Sequence, residues 1–226
     1  MAIRQFIIRN KKLSLLLLRI VSKVYFLILI NKFVKKGKYN RIINKGSLLF
    51  SVKFKIIGNN NIIQLGELSK LIRTTIIIIG NNNSIEIGNN NSIYNSEFWT
   101  EDNFNVIHLY NKIRVNGCHF AATEGKSIIV GSDCLFSKEI DIRTGDSHSV
   151  IIAGTKNRIN PARSIIIEQH VWIGKRVTIL KGVTVGSNAI IATNSLVVKD
   201  VPSNCIVGGC PARIIKNNVD WLIDRI

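Results

Sequence analysis

The stretch Ile173–Pro202 divides without remainder into five blocks of six: IGKRVT, ILKGVT, VGSNAI, IATNSL and VVKDVP. Their first positions are Ile173, Ile179, Val185, Ile191 and Val197, all aliphatic. Their fifth positions, Val177, Val183, Ala189, Ser195 and Val201, are mostly small or β-branched. An α-helix turns once in about 3.6 residues and cannot keep a six-residue repeat on one face. A chain that turns a corner every six residues can, and three such sides close a triangular coil of roughly eighteen residues. The repeat predicts an all-β chain wound as a parallel β-solenoid, each coil burying its apolar edge against its neighbours.

Upstream the pattern loosens into a phrase. Ile57-Gly58-Asn59-Asn60-Asn61, Ile79-Gly80-Asn81-Asn82-Asn83 and Ile87-Gly88-Asn89-Asn90-Asn91 repeat it, the last two only eight residues apart. Gly and Asn suit corners because they tolerate left-handed backbone. Stacked Asn at corners stabilise coils without any chemistry, and that is the expected role of these phrases. Composition agrees with β structure: of 226 residues 41 are Ile and 25 Asn, and only three are Pro.

Charge is concentrated at one end. The net charge is +17, and residues 1–55 carry 14 Lys and Arg with no acid before Glu67. Leu13–Ile30 is apolar but broken by Arg19 and Lys23, leaving runs too short to span a bilayer. Residues 1–54 are expected to form a basic, partly helical segment, set against an anionic membrane surface or packed on the chain's own domain or another subunit. No aromatic–glycine signature accompanies the charge, so no nucleic-acid partner is expected. No small-residue cleavage site follows the apolar run, and the location expected is cytoplasmic, at the inner face of the membrane if the basic segment docks there. Cys118, Cys134, Cys205 and Cys210 form no C-x-x-C pair. They are expected to be reduced thiols in or near the core, with no metal site.

Longer motifs carry a resemblance. Asp141-Ile-Arg-Thr-Gly-Asp-Ser-His148, Arg158-Ile-Asn-Pro161, His170-Val-Trp172-Ile-Gly174 and Gly209-Cys-Pro-Ala-Arg213-Ile-Ile-Lys216, with the hexads, resemble the left-handed parallel β-helix (hexapeptide-repeat) acyltransferase superfamily. Within it they are most similar to bacterial O-acetyltransferases that modify capsule, lipopolysaccharide or exopolysaccharide sugars, including sialic-acid polymers. The resemblance covers residues 55–218, with a loop insertion at 144–162 and a tail at 219–226. It implies acetyl-CoA as donor, a saccharide acceptor, direct attack without an acyl-enzyme, and a homotrimer with active sites between subunits.

Acetyl transfer to a hydroxyl needs a group that takes the hydroxyl proton, and a His near neutrality suits it. His148 stands in the polar stretch Thr144–Ser149 that interrupts the solenoid, and the resembled family's catalytic His falls at this position. Asp146 shares a face with His148 in an extended segment and Asp141 is the other nearby acid; either could orient the base. His170 lies inside the regular repeat, as a corner residue or a second polar contact. The resemblance places Trp172 beside the base and the thioester, and assigns Arg143 and Asn160 to the acceptor. Coenzyme contacts carry over to Lys175, Thr193, Val198, Lys199, Arg213 and Lys216, the last two reaching toward the nucleotide phosphates. The chain departs from the family at Ala192-Thr193-Asn194, where Gly-Ala-Gly is common. Two other readings are N-acetylation of a nucleotide-linked amino sugar and a non-catalytic solenoid that binds polysaccharide.

Overall fold

The computed structural model describes residues 31–226. These form 24 strands, from β1 (Lys32–Lys36) to β24 (Ala212–Asn217), and no helix. Through β22 every third strand enters the same sheet, and the last two strands extend the third sheet, giving sheets of eight, seven and nine strands that wrap a single shaft. Strand pairing is parallel throughout except between β23 (Cys205–Gly209) and β24, which close the C-terminal end as an antiparallel pair. The hexads therefore do what their period requires: Trp172 lies beside Ile190 and Thr178 beside Leu196, one coil of 18 residues apart.

The N-terminal coils are larger. In the first sheet β7 (Thr75–Ile79), β10 (Glu97–Glu101) and β13 (Cys118–Thr123) stack so that Thr75, Glu97 and His119 form a column at intervals of 22. Burial alternates along each strand as a pleat demands: Ile76 and Ile78 are fully buried while Ile77 and Ile79 face outward. The core is a continuous apolar column that includes Phe54, Phe98, Phe120 and Phe136, with Phe98 and Phe120 stacked at 4.9 Å.

The repeated phrases are the corners of these larger coils. Their first Asn run up the outside, with the Asn81 side-chain oxygen accepting from the Asn59 amide at 2.8 Å and that of Asn103 accepting from Asn81 at 2.7 Å. Their last Asn run up the buried inside, where Asn61, Asn83 and Asn105 are linked at 2.8–2.9 Å. The middle Asn60, Asn82 and Asn90 take the left-handed backbone, at φ 56–58°. Gly80, at φ 126°, lies so close to the next coil that a Cβ would stand 1.8 Å from the Asp102 carbonyl oxygen.

The shaft begins earlier than the sequence reading placed it. β1, β2 (Arg41–Asn44) and β3 (Leu48–Phe50) make up the first coil, and β4 (Lys53–Ile57) starts the second. Residues 32–54 are thus strand and turn rather than helix; the remainder of the expected helical segment lies outside the described residues. The cause is the alternation: Lys53 and Lys55 point outward while Phe54 and Ile56 are buried, so a run that reads as a basic arm is one pleated face.

Candidate active site

One end of the large coils carries a cleft of about 520 Å³ on the outer face of the first sheet. Its floor comes from β10, β13 and β16 (Ile140–Arg143). Register fixes the outward columns Glu97–His119–Asp141 and Trp99–Ala121–Arg143. After β16 the chain leaves the shaft and returns at β17 (Ile165–Ile167). The excursion is closed at its base by the Arg163 amide donating to the Thr144 carbonyl at 2.8 Å, and farther out Ile151 and Arg158 bridge antiparallel as a short hairpin. Asp146, His148 and Arg158 line the cleft from this loop.

Hydrogen bonds decide what each carboxylate does. Asp141 accepts from Arg143 Nε at 2.7 Å and sits 2.9 Å from His119 Nδ1. Burial pushes its carboxyl up, but the bonds to His119 and Arg143 outweigh it and hold it below the usual range. Asp146 meets Lys181 Nζ at 2.5 Å and Asn160 Nδ2 at 2.7 Å, and these bonds, Lys181's foremost, hold its carboxyl low. Neither acid touches the His148 ring, which is exposed and has no hydrogen-bond partner among the described residues. Asp141 belongs to His119, and Asp146 ties the loop to the coil below.

Asn160 is the pin of that loop. Nearly buried, it donates to Asp146 and, at 2.8 Å, to the His148 carbonyl; its oxygen accepts from the Val150 amide at 2.7 Å and Arg158 Nε at 3.1 Å. Its amide is fully engaged within the chain. Arg143 does line the cleft, with its Nε turned back to Asp141.

The other residues singled out from sequence lie elsewhere on the shaft. Trp172 begins β18 (Trp172–Ile173) on the third sheet, 41% exposed and 6.1 Å from Trp221. Lys175 sits in the following turn, paired with Glu139 at 3.1 Å, and the Asn194 amide beside Thr193 donates to the Lys175 carbonyl at 2.8 Å. Val198 and Lys199 are exposed in the turn after β22 (Leu196–Val197). Arg213 and Lys216 are exposed on β24, where neither forms an ion pair among the described residues. None of these groups lines the cleft with His148, although Val198 and Lys199 follow Val197 at the corner where Lys181 follows Ile179 one coil earlier. His170 is engaged structurally: its ring stacks on Trp221 at 4.3 Å and meets Asp133 at 3.0 Å and the Trp221 carbonyl at 3.0 Å. Cys118, Cys134 and Cys205 are buried, and burial pushes the Cys134 thiol up to about 12, which suits no nucleophile. Cys210, at the turn before β24, is exposed.

Sequence reasoning missed Glu97, Trp99, Glu101, His119, Glu124 and Arg158 as cleft residues. The signal for three of them was the interval of 22, which leads from Asp141 to His119 to Glu97 and from Arg143 through Ala121 to Trp99.

Comparison with known proteins agrees with this architecture. Residues 164–199 match the family model "Bacterial transferase hexapeptide (six repeats)". The polysialic acid O-acetyltransferase of Neisseria meningitidis is 31% identical over 84% of this chain and 88% of its own length. That of Escherichia coli O1:K1 is 37% identical over 44% of this chain, which spans about a third of that protein (32%). The crystal structure of the polysialic acid O-acetyltransferase OatWY superposes with a TM-score of 0.81 at 28% identity, covering 87% of this chain and 92% of that one. The chain belongs to the hexapeptide-repeat acyltransferases, in the group that includes the capsule polysaccharide O-acetyltransferases.

Proposed function

We propose that this protein transfers an acetyl group from acetyl-CoA to a hydroxyl of a bacterial surface polysaccharide or its precursor, with His148 as general base. The observation that carries the reading is an unpartnered imidazole on a loop pinned at its root over an outward sheet face, in a chain of this family. Acetyl-CoA supplies the acetyl group as a thioester. His148 takes the hydroxyl proton as the acceptor oxygen adds to the acetyl carbonyl carbon, and returns it to the departing thiolate, so no enzyme-bound acyl group forms. Lys199, Arg213 and Lys216 are exposed cations with no ion pair among the described residues, a donor set that fits the 3′-phosphate and pyrophosphate of the coenzyme. Lys175, Thr193 and Val198 line the corners along which its pantetheine arm would lie.

Trp172 lies on the third sheet, away from the cleft that His148 lines, so the complete site needs a second copy of the chain, in keeping with a homotrimer. The exposed Val150, Ile151, Ile152 and Ile159 of the projecting hairpin suit such a contact. The test is His148→Ala. Turnover is expected to fall roughly 10²–10⁴-fold, with melting unchanged because the residue stands outside the coils. Turnover within a few-fold of the parent would remove His148 from the reaction.

A further inference from the structure

The cations on the wall of the cleft are already matched to carboxylates of the chain. Arg158 holds Glu124 at 2.6 Å, Arg143 holds Asp141 at 2.7 Å, and Lys181 holds Asp146 below the loop. Glu97, Glu101 and Asp102 also line the cleft, and among the described residues none of them has an ion-pair partner. The lysines that β4 carries on this face, Lys53 and Lys55, stand two strands from Glu97 and Trp99, beyond Thr75 and Ile77. Two strand spacings are about 10 Å, roughly a Debye length, so those charges do little to offset the carboxylates. Between Glu97 and Glu101 stands Trp99, outward and half-buried, with only the small Ala121 beside it on the loop side.

We propose that the acceptor in this cleft is an uncharged sugar unit, stacked on Trp99 with its hydroxyls donating to the carboxylates of Glu97 and Glu101, and that the cleft disfavours anionic sugars such as sialic acid. This rests on the reading of the protein as an O-acetyltransferase. A sugar ring presents C–H groups to an aromatic face and hydroxyl donors at its rim. A carboxylate accepts such donors strongly and offers nothing to an anion. A cleft with spare negative charge focuses that field and rejects a sialate carboxylate by repulsion. The chain therefore differs in acceptor from its relatives named for polysialic acid.

The experiment uses the full chain, with acetyl-CoA and either neutral malto-, galacto- and lacto-oligosaccharides or α2,8-linked polysialic acid. Coenzyme release is followed, and binding of each saccharide is measured separately by saturation-transfer NMR. Release and binding are expected with a neutral oligosaccharide. Trp99→Ala should raise its KM about tenfold while the KM for acetyl-CoA stays put. Glu97→Gln with Glu101→Gln should lower kcat/KM for the neutral acceptor about tenfold, the worth of a hydrogen bond to a charged group, and should raise whatever turnover polysialic acid shows. Preference for polysialic acid, or indifference of neutral-acceptor turnover to these variants, overturns the inference and leaves the transferase reading standing. Binding of a neutral oligosaccharide through Trp99 without acetyl transfer to any acceptor keeps the inference and overturns the transferase reading. Neither binding nor transfer overturns both.

Discussion

Replacing Asn160 by Ala is the most direct probe of how the loop holds His148. The side chain makes four hydrogen bonds, at 2.7, 2.8, 2.7 and 3.1 Å, to Asp146, His148, Val150 and Arg158. At about 0.5–1.5 kcal/mol net for each bond, their sum is about 2–6 kcal/mol. Water can replace part of this, because the loop around Asn160 is exposed, and about 2 kcal/mol is a fair working value. That corresponds to a roughly 30-fold shift toward the unpinned loop. Trypsin cleavage after Arg158, otherwise held by Glu124 and Asn160, should accelerate by up to this factor, since cleavage follows the open population. The acceptor kcat/KM should fall with it, because the carbonyl of His148 loses its anchor. Melting should hardly move: the insertion contributes little to the core beyond Ala162. A rise in acceptor KM with unaltered cleavage would mean that Asn160 touches substrate directly. A collapse in melting temperature would mean that the loop supports the shaft. Either result refutes the pin.

Two further outcomes follow from the fold. His170 is partly buried, which lowers its pKa, but its bonds to the Trp221 carbonyl and Asp133 and the nearby Asp220 raise it above the ordinary value. Its grip on the tail is thus fully present below about pH 6.5 and lost as pH rises through the folded-state pKa. Tryptophan fluorescence should report the Trp221 environment loosening between neutral and alkaline pH, and His170→Asn, which keeps the left-handed φ of 56°, should remove that dependence; an identical profile in the variant would refute it. Gly80→Ala should cost several kcal/mol, because its Cβ would meet the Asp102 carbonyl at 1.8 Å, whereas Gly154→Ala, with nothing within 4 Å but φ +76°, should cost only about 1–2 kcal/mol; thermal melts showing equal losses would contradict the close approach.

The legible part of this chain was the part with a short, exact period. From Ile173 the first position of every hexad is aliphatic, so the coil could be read directly. The larger coils were harder because their signal is the interval of 22, carried by phrases in which Asn103-Phe104-Asn105 or Lys38-Tyr39-Asn40 replace the Asn run. In β4 lysines fill outward positions and mask the strand. Of the candidate site, His148 stood out as a polar interruption in a repeat, Asp146 followed from it, and Arg143 came with the resemblance. The choice between Asp141 and Asp146 could not be made along the chain, because each carboxylate is claimed by a residue from another coil, His119 in one case and Lys181 in the other. Trp99 and Glu97 were invisible for the same reason: they reach the cleft by register across coils. Trp221 was passed over as tail, although its indole donates to the His170 carbonyl at 2.9 Å and it is 6% exposed.

The coil of 22 acts on this chain as a reading frame acts on a message. Adding or removing one whole coil in the N-terminal half would leave every inward residue inward, every corner on its corner and the cleft untouched. Losing a single residue within a strand such as β7 would turn its buried Ile76 and Ile78 out to solvent and its outward neighbours in. The shaft can therefore change length in whole-coil steps while its faces keep their meaning, and single-residue changes are absorbed outside the strands, as where Arg41 pairs with Ile62 at an interval of 21 and Ile62 with Ser84 at 22. The excursion between β16 and β17 is the largest such place, and it is there that the loop bearing His148 stands.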